Sequence, residues 1–273
     1  MQRDFPEGNE LHRDGSRLVA FVHIPKTAGT TLNSVLGQEY ALNERHEIMM
    51  RGMSWILPRP EIIRRPLISF SKVRRLRACV RSRRDLRLVH GHFDLSMMKH
   101  LPADTRYFTL LRDPVERAIS HYCHYRRRPD ERVHPLAVQS TLAEWVGSCG
   151  LVEMDNGQTR RLAGQMNVPC GRVTLQALER AKSNLAKFAV VGLTERFDES
   201  LTLLARVFGW GTHPYVAQNV GANRPRRSAL DPETIEALER CNRFDLELYQ
   251  YASALFERAV RGMRADARAV AVG

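Results

Sequence analysis

Leu18, Val19, Ala20, Phe21, Val22, His23 and Ile24 form an unbroken, largely apolar run of strand length. From it the chain passes through Pro25, Lys26, Thr27, Ala28 and Gly29 straight into a helical pattern. A strand with apolar residues on both faces has to be covered on both faces. Helices crossing over a parallel sheet meet that condition, and a meander with one wet side does not. Over residues 30–40, Leu32, Val35 and Leu36 share one helical face. Further strand-length runs at residues 86–90, 106–111 and 187–193 alternate with helical patterns. The chain therefore reads as α/β, a three-layer sandwich with a central, mainly parallel sheet flanked by helices.

Several helix starts are legible. Asp113 suits an N-cap, Pro114 the first helical position and Glu116 the third position of a capping box, predicting a helix to Arg127. Thr141 with Glu144 opens another. Residues 174–186 predict a further helix, and one follows the fourth strand through Phe208. Asp231 before Pro232 opens a C-terminal helix that runs to Met263. Residues 45–87 are less regular: they hold Trp55, Pro58, Pro60, Pro66 and many arginines, and read as a cap or insertion over the core. Without an internal repeat, low-complexity tract or linker, residues 1–273 read as a single domain with its core over 18–260.

The formal net charge is +12, and only five of the 42 basic residues are lysine. Arginine pairs bidentately with phosphate and sulfate, which favours an anionic partner, whereas a GC-rich genome would produce the same excess. The five cysteines (Cys79, Cys123, Cys149, Cys170, Cys241) are odd in number and widely spaced, so they read as reduced thiols. No run reaches the ~18 apolar residues of a membrane-spanning helix. The polar stretch 1–15, with Asp4, Glu7, Glu10 and Asp14, is not a signal peptide. The expected setting is cytoplasmic.

At the junction after the first strand, the free N–H groups of a helix's first turn point outward and the helix dipole adds positive potential. Lys26 supplies a mobile charge to the same place, and Thr30 and Thr31 add hydroxyls, so the loop reads as an anion site. It is P-loop-like without being a nucleotide triphosphatase motif, because Lys26 precedes the single Gly29 instead of following the glycines. At a second strand–helix junction, Arg112 offers a planar fork to a phosphate and Ser120 adds a neutral donor.

Residues 24–31 resemble the 5′-phosphosulfate-binding loop of the carbohydrate sulfotransferases, in particular the group of heparan sulfate 2-O- and 6-O-sulfotransferases and their bacterial relatives. Residues 110–122 resemble that family's 3′-phosphate motif, with Arg112 and Ser120 at its two binding positions. Residues 156–164, 191–197 and 242–249 are similar to further family segments, so the resemblance spans 18–260, whereas 45–87 match nothing in it. It implies a donor, 3′-phosphoadenosine 5′-phosphosulfate (PAPS), with 3′,5′-adenosine bisphosphate (PAP) as product. Lys26, Thr27, Ala28, Gly29, Thr30, Thr31, Arg112 and Ser120 would hold it.

Sulfuryl transfer needs a base for the acceptor hydroxyl and a cation near the leaving oxygen; Lys26 fits the second role. His90 and His92 would face one side of a strand, and imidazole takes a proton near neutral pH. The 2-O-sulfotransferases carry a similar His-Gly-His whose second member is the assigned base, which implies His92 as base with His90 in support. Competing bases are Glu47, Asp94, His23 and His121, with His23 reading as core. Gln158, Arg160 and Arg161 are acceptor-side candidates. Asn223, Arg224, Arg226 and Arg227 read as a loop closing over the donor, with Arg224 the donor contact. The basic run 74–87 reads as a solvated face or a seat for an acidic glycan, and 45–87 as the acceptor side. No residue cluster has metal-ligand spacing, and no metal is expected.

The resulting expectation is a bacterial, cytoplasmic sulfotransferase acting on a carbohydrate hydroxyl, with no nucleic-acid partner and an open oligomeric state. The alternatives are a P-loop-type kinase and a non-catalytic polyanion- or nucleic-acid-binding protein.

Overall fold

The structure, a computed structural model, describes residues 18–48, 70–131, 133–148, 151–211, 214–216 and 224–272. Among these, five strands form one sheet: β1 (Val19–Val22), β2 (Arg45–Ile48), β3 (Leu88–Gly91), β4 (Arg106–Leu111) and β5 (Val190–Leu193). Their order is β2-β3-β1-β4-β5, and every neighbouring pair is parallel. β1 is the central strand, with Val19 opposite Leu88 on one side and Arg106 on the other. From β1 the chain runs to the edge strand β2, returns to β3, then crosses over β1 to β4 and β5. The winding changes direction at the carboxyl end of β1, where open parallel sheets take their ligands.

The flanking helices are α1 (Gly29–Glu39), α2 (Phe70–Ser82), α3 (Pro114–Arg126), α4 (His134–Gln139), α5 (Leu142–Ser148), α6 (Gly157–Ala163), α7 (Leu175–Leu185), α8 (Phe197–Phe208), α9 (Pro232–Cys241) and α10 (Arg243–Val272). β1, β3 and β5 are buried throughout, as a sheet covered on both faces requires. Phe21, Phe108, Phe208 and Trp210 pack ring against ring through the main core. A second apolar cluster, centred on Trp145 with Val115, Ile119 and Leu238, joins α3, α5 and α9.

The marked helix starts form as the side chains dictate. The Asp113 carboxylate accepts from the Glu116 N–H at 2.9 Å, and Asp231 accepts from the Thr234 N–H at 2.8 Å. Thr141 and Glu144 cap each other reciprocally, with distances of 2.8 and 3.2 Å. Three features differ from the sequence reading. Residues 45–48 are a strand of the sheet and α2 is the crossover that returns from it, with Leu76 in the core, so these parts are neither cap nor insertion. Residues 49–69, including Trp55, lie outside the described residues, as does Asn223. The C-terminal helix breaks at Asn242, whose amide turns back to the Leu238 carbonyl, and then continues to Val272.

The third difference is α6, whose two neighbours at one end exchange caps with α10. Asp245 accepts from the N–H groups of Gln158 at 3.0 Å and Thr159 at 2.7 Å, closing the start of α6. Asn156, in the left-handed region at φ 52°, accepts from the N–H groups of Phe244 at 2.8 Å and Asp245 at 3.2 Å, closing the start of α10.

Candidate active site

The loop between β1 and α1 is held in an uncommon conformation. Lys26 and Ala28 both lie in the left-handed region, at φ 70° and 60°. Non-glycine residues held there cost on the order of 1–3 kcal/mol and persist only under external restraint. The restraints are visible. The buried Thr27 hydroxyl donates to the Ile24 carbonyl at 2.9 Å, and Arg112 Nη1 donates to the Lys26 carbonyl at 3.2 Å. Alternating left-handed residues turn successive N–H groups toward one point, and α1 begins there with no side-chain cap from Ala28. Thr27 therefore braces the loop, while Thr30 stands exposed at the first turn of α1.

Lys26 is short of counter-charge. Burial, then the guanidinium groups of Arg127, Arg112 and Arg128, bring its ammonium down to about 8. His124, also facing Lys26, is pushed down to about 4, first by burial and then by that ammonium. Arg127, Arg128 and His124 were missed in the sequence. The available signal is the spacing of Ser120 and His124, which share one face of α3, with Arg127 just past its end. Because Lys26 is charged below about pH 8, an anion at the loop gains its attraction at neutral pH and loses it in alkali. The expected result is a loss of PAP affinity of about tenfold or more between pH 7.5 and 9.5 by calorimetry, whereas Lys26→Ala flattens that dependence.

Arg112, at the end of β4, is clamped rather than loose. The Gln158 side chain accepts from its N–H at 3.1 Å and donates to its carbonyl at 2.9 Å. Its guanidinium lies between Glu116 at 3.8 Å and Glu195 at 3.9 Å, and its buried Nε has no hydrogen-bond partner among the described residues. That unspent donor and the adjoining cradle fit a phosphate group. Arg224 pairs with Glu116, and Arg227 lies 3.9 Å from Asp113, which seats the segment after 224 over the start of α3. Ser120 is half-buried on α3.

The acceptor-side candidates are corrected by burial. Gln158 serves the Arg112 backbone. Arg160 is fully buried and spends its donors on Asp155, Val168 and Pro169, building a loop rather than facing a ligand. Arg161 is equally buried, pairing with Glu153 and donating to the Phe93 carbonyl at 3.2 Å. Arg161 nevertheless lies close enough to His92 to depress its basicity.

The two histidines do not share a strand face. β3 ends at Gly91, whose φ of 131° and close approach to the Ile48 carbonyl leave no room for a side chain, and His92 follows beyond the bend. His90 looks toward the β2 edge, and burial with Arg45 and His46 pushes it down to about 4. His92 is also at about 4, through burial and Arg161, partly offset by Glu153 and by a 3.2 Å hydrogen bond to the His23 carbonyl. Of the competing bases, Glu47 is exposed on β2, and Asp94 caps the next turn by accepting from the Ser96 N–H at 3.0 Å. His121 is fully buried beside Arg117. Gly29 is required where it stands, because a Cβ there would overlap the His23 ring. Gly29→Ala is expected to lower kcat/KM about 10²-fold by displacing the loop, read by steady-state kinetics, and to lower the melting temperature as the overpacked His23 ring is pushed aside.

A profile of the Sulfotransferase family matches residues 9–252. Heparan-sulfate 6-O-sulfotransferase 1 of Homo sapiens is 29% identical over 292 residues, covering 94% of this chain and 69% of its own. Heparan-sulfate 6-O-sulfotransferase 2 of Danio rerio is 27% identical over 291 residues, covering 93% and 61%. A crystal structure of a sulfotransferase from Alicyclobacillus acidocaldarius superposes with a TM-score of 0.47 and 15% identity, covering 90% of this chain and 99% of that one. The family match takes in all five strands, the loop at Lys26, Arg112 and His92, and the chain belongs to the sulfotransferase family.

Proposed function

We propose that the enzyme transfers a sulfuryl group from PAPS to a hydroxyl of a carbohydrate acceptor, by in-line displacement. The observation that carries this is Lys26, a half-buried cation on a left-handed loop, flanked by arginines and with no ion pair to a carboxylate among the described residues. When bound, the donor supplies an activated sulfuryl group on a phosphate leaving group. The loop amides and Lys26 hold that phosphate, and Lys26 neutralises the charge that grows on its bridging oxygen. Arg112, Ser120 and Arg224 take the 3′-phosphate. Since the His23 carbonyl only accepts, the His92 proton sits on Nδ1, which leaves the Nε2 lone pair to receive the acceptor's proton. His90 supports the strand end. In this reading the positive charge comes from side chains, without a metal.

The named relatives support a carbohydrate acceptor. So does α2, where the exposed Arg74, Arg77 and Arg81, continued by Arg84, recur at spacings of three, four and three in a stretch free of carboxylates. No helix among the described residues is long and apolar enough to cross a membrane. The cytoplasmic, bacterial, single-domain setting belongs to the same proposal; the free thiols of Cys79, Cys123, Cys170 and Cys241 fit its reducing compartment. Family membership sets aside the kinase and non-catalytic readings.

The test is calorimetric titration with PAP, with AMP and ATP as controls, followed by transfer of labelled sulfate to de-O-sulfated heparan sulfate. Micromolar, 3′-phosphate-dependent binding is expected. Equal affinity for AMP would sink the donor assignment.

A further inference from the structure

His23 is the first residue beyond β1, and its N–H donates to the Gly91 carbonyl at 3.1 Å, extending the β1–β3 ladder by one step. Its ring has a neighbour on each side. One edge lies against Gly29, the first residue of α1, so closely that a Cβ there would overlap Nε2. One face stacks on His92, with centroids 4.1 Å apart and planes 28° apart. Phe21 stacks with it at 5.2 Å and 14°, and Phe108 stacks with Phe21 at 4.9 Å and 8°. The His23 carbonyl accepts the Nδ1 proton of His92. One residue thus touches the donor loop through its ring edge and sets both the tautomer and the plane of the proposed base.

We infer that His23 is a positioning residue for sulfuryl transfer: wedged between Gly29 and His92, it fixes the separation of the donor loop from the imidazole that takes the acceptor's proton. The inference rests on the reading of His92 as base. A stacked column running back to Phe108 gives the wedge a rigid support, which a side chain on a free loop would lack. The neutral ring also presents its face to the imidazolium that forms when His92 is protonated. The groups facing His92 are His23 from the end of β1, Arg161 from α6, Glu153 from the turn before α6, and Lys26 from the donor loop. Burial is the largest influence on its basicity, and the His23 ring supplies part of that burial.

The test compares the wild-type chain with His23→Ala and His23→Phe by three readouts. These are NMR titration of ¹³C-labelled histidine, PAP calorimetry, and turnover with labelled donor and de-O-sulfated heparan sulfate. In the wild type the His92 resonance is expected to stay flat above about pH 5.5. In His23→Ala water reaches the imidazole, so the resonance titrates with a midpoint near about pH 6 and the acid limb of kcat moves with it. Turnover falls about 10²-fold while PAP affinity stays within about threefold. His23→Phe keeps the stack, so it suppresses the titration and recovers most of the rate.

An unchanged His92 titration with near-normal turnover in His23→Ala would overturn the inference. So would losses of rate, PAP affinity and melting temperature that run in parallel in both variants, which would mean a merely structural role. His92→Ala is the control on the underlying reading. If it retained wild-type turnover, the base assignment itself would fall, whereas an inactive His92→Ala beside a normal His23→Ala would remove only the wedge.

Discussion

Lys26→Ala lowers kcat by about 10²–10³-fold and leaves the fold intact, the scale set by removing one preorganised charge from a developing oxyanion. The same substitution raises the melting temperature slightly. In the free enzyme Lys26 is a cost: it is pulled out of water, it faces Arg127, Arg112 and Arg128, and these together bring its ammonium to about 8. Alanine removes the repulsion and keeps the left-handed backbone no worse off, since Ala28 already sits in that region two residues on. Activity and stability therefore move in opposite directions, as they do where a site holds charge for its ligand. Lys26→Arg is not expected to rescue, because a planar fork replaces a compact ammonium. Turnover within about threefold of wild type in Lys26→Ala would take the leaving-group role away from this residue.

Arg117→Ala has the largest expected effect on stability. The guanidinium is fully buried, 3.5 Å from Glu153 and 3.6 Å from Asp245, and it also donates to the Glu153 carbonyl. Removing it leaves the buried Asp245 carboxylate without its cation, while Glu153 keeps Arg161, at a cost of about 3–5 kcal/mol. For a chain of this size each kcal/mol moves the melting temperature by roughly 2–4 °C, so scanning calorimetry should find a fall of roughly 10 °C. The pH dependence has a definite sign. Burial raises the Asp245 carboxyl above its ordinary value, and Arg117 works against that rise. Without Arg117 the rise is larger, so folded protein takes up a proton that unfolded chain releases. That contribution favours the fold in acid and is lost as pH increases, so the deficit at pH 8 exceeds the deficit at pH 5. A deficit independent of pH would mean that Asp245 is not the group left uncompensated.

The strands that carry the site were legible because they are buried on both faces and leave nothing but apolar runs. β2 was not: Arg45, His46 and Glu47 occupy three of its four positions, since an edge strand needs no apolar periodicity to hydrogen-bond to β3. The junction of β1 and α1 was readable from Lys26 and Gly29, whose roles follow from local backbone chemistry. Arg160 and Arg161 misled for a complementary reason. A basic pair at a helix end looks solvated until its carboxylates are found, and Asp155 and Glu153 reach them only through the fold. α6 itself carried no start signal because its cap, Asp245, is 87 positions from Gln158. The same-face argument for His90 and His92 failed on Gly91, whose conformation no periodicity reports.

The caps exchanged between Asn156 and Asp245 also bear on how the enzyme comes off the ribosome. A nascent chain that has emerged as far as α9 already contains the donor loop, Arg112 and His92, yet α6 has no cap and Gln158 has no fixed helix from which to clamp Arg112. The clamp on Arg112 therefore arrives only with α10. A chain cut ahead of Asp245, by a protease or an early stop, would carry nearly all the side chains proposed to touch the donor and lack the capped helix from which Gln158 clamps Arg112.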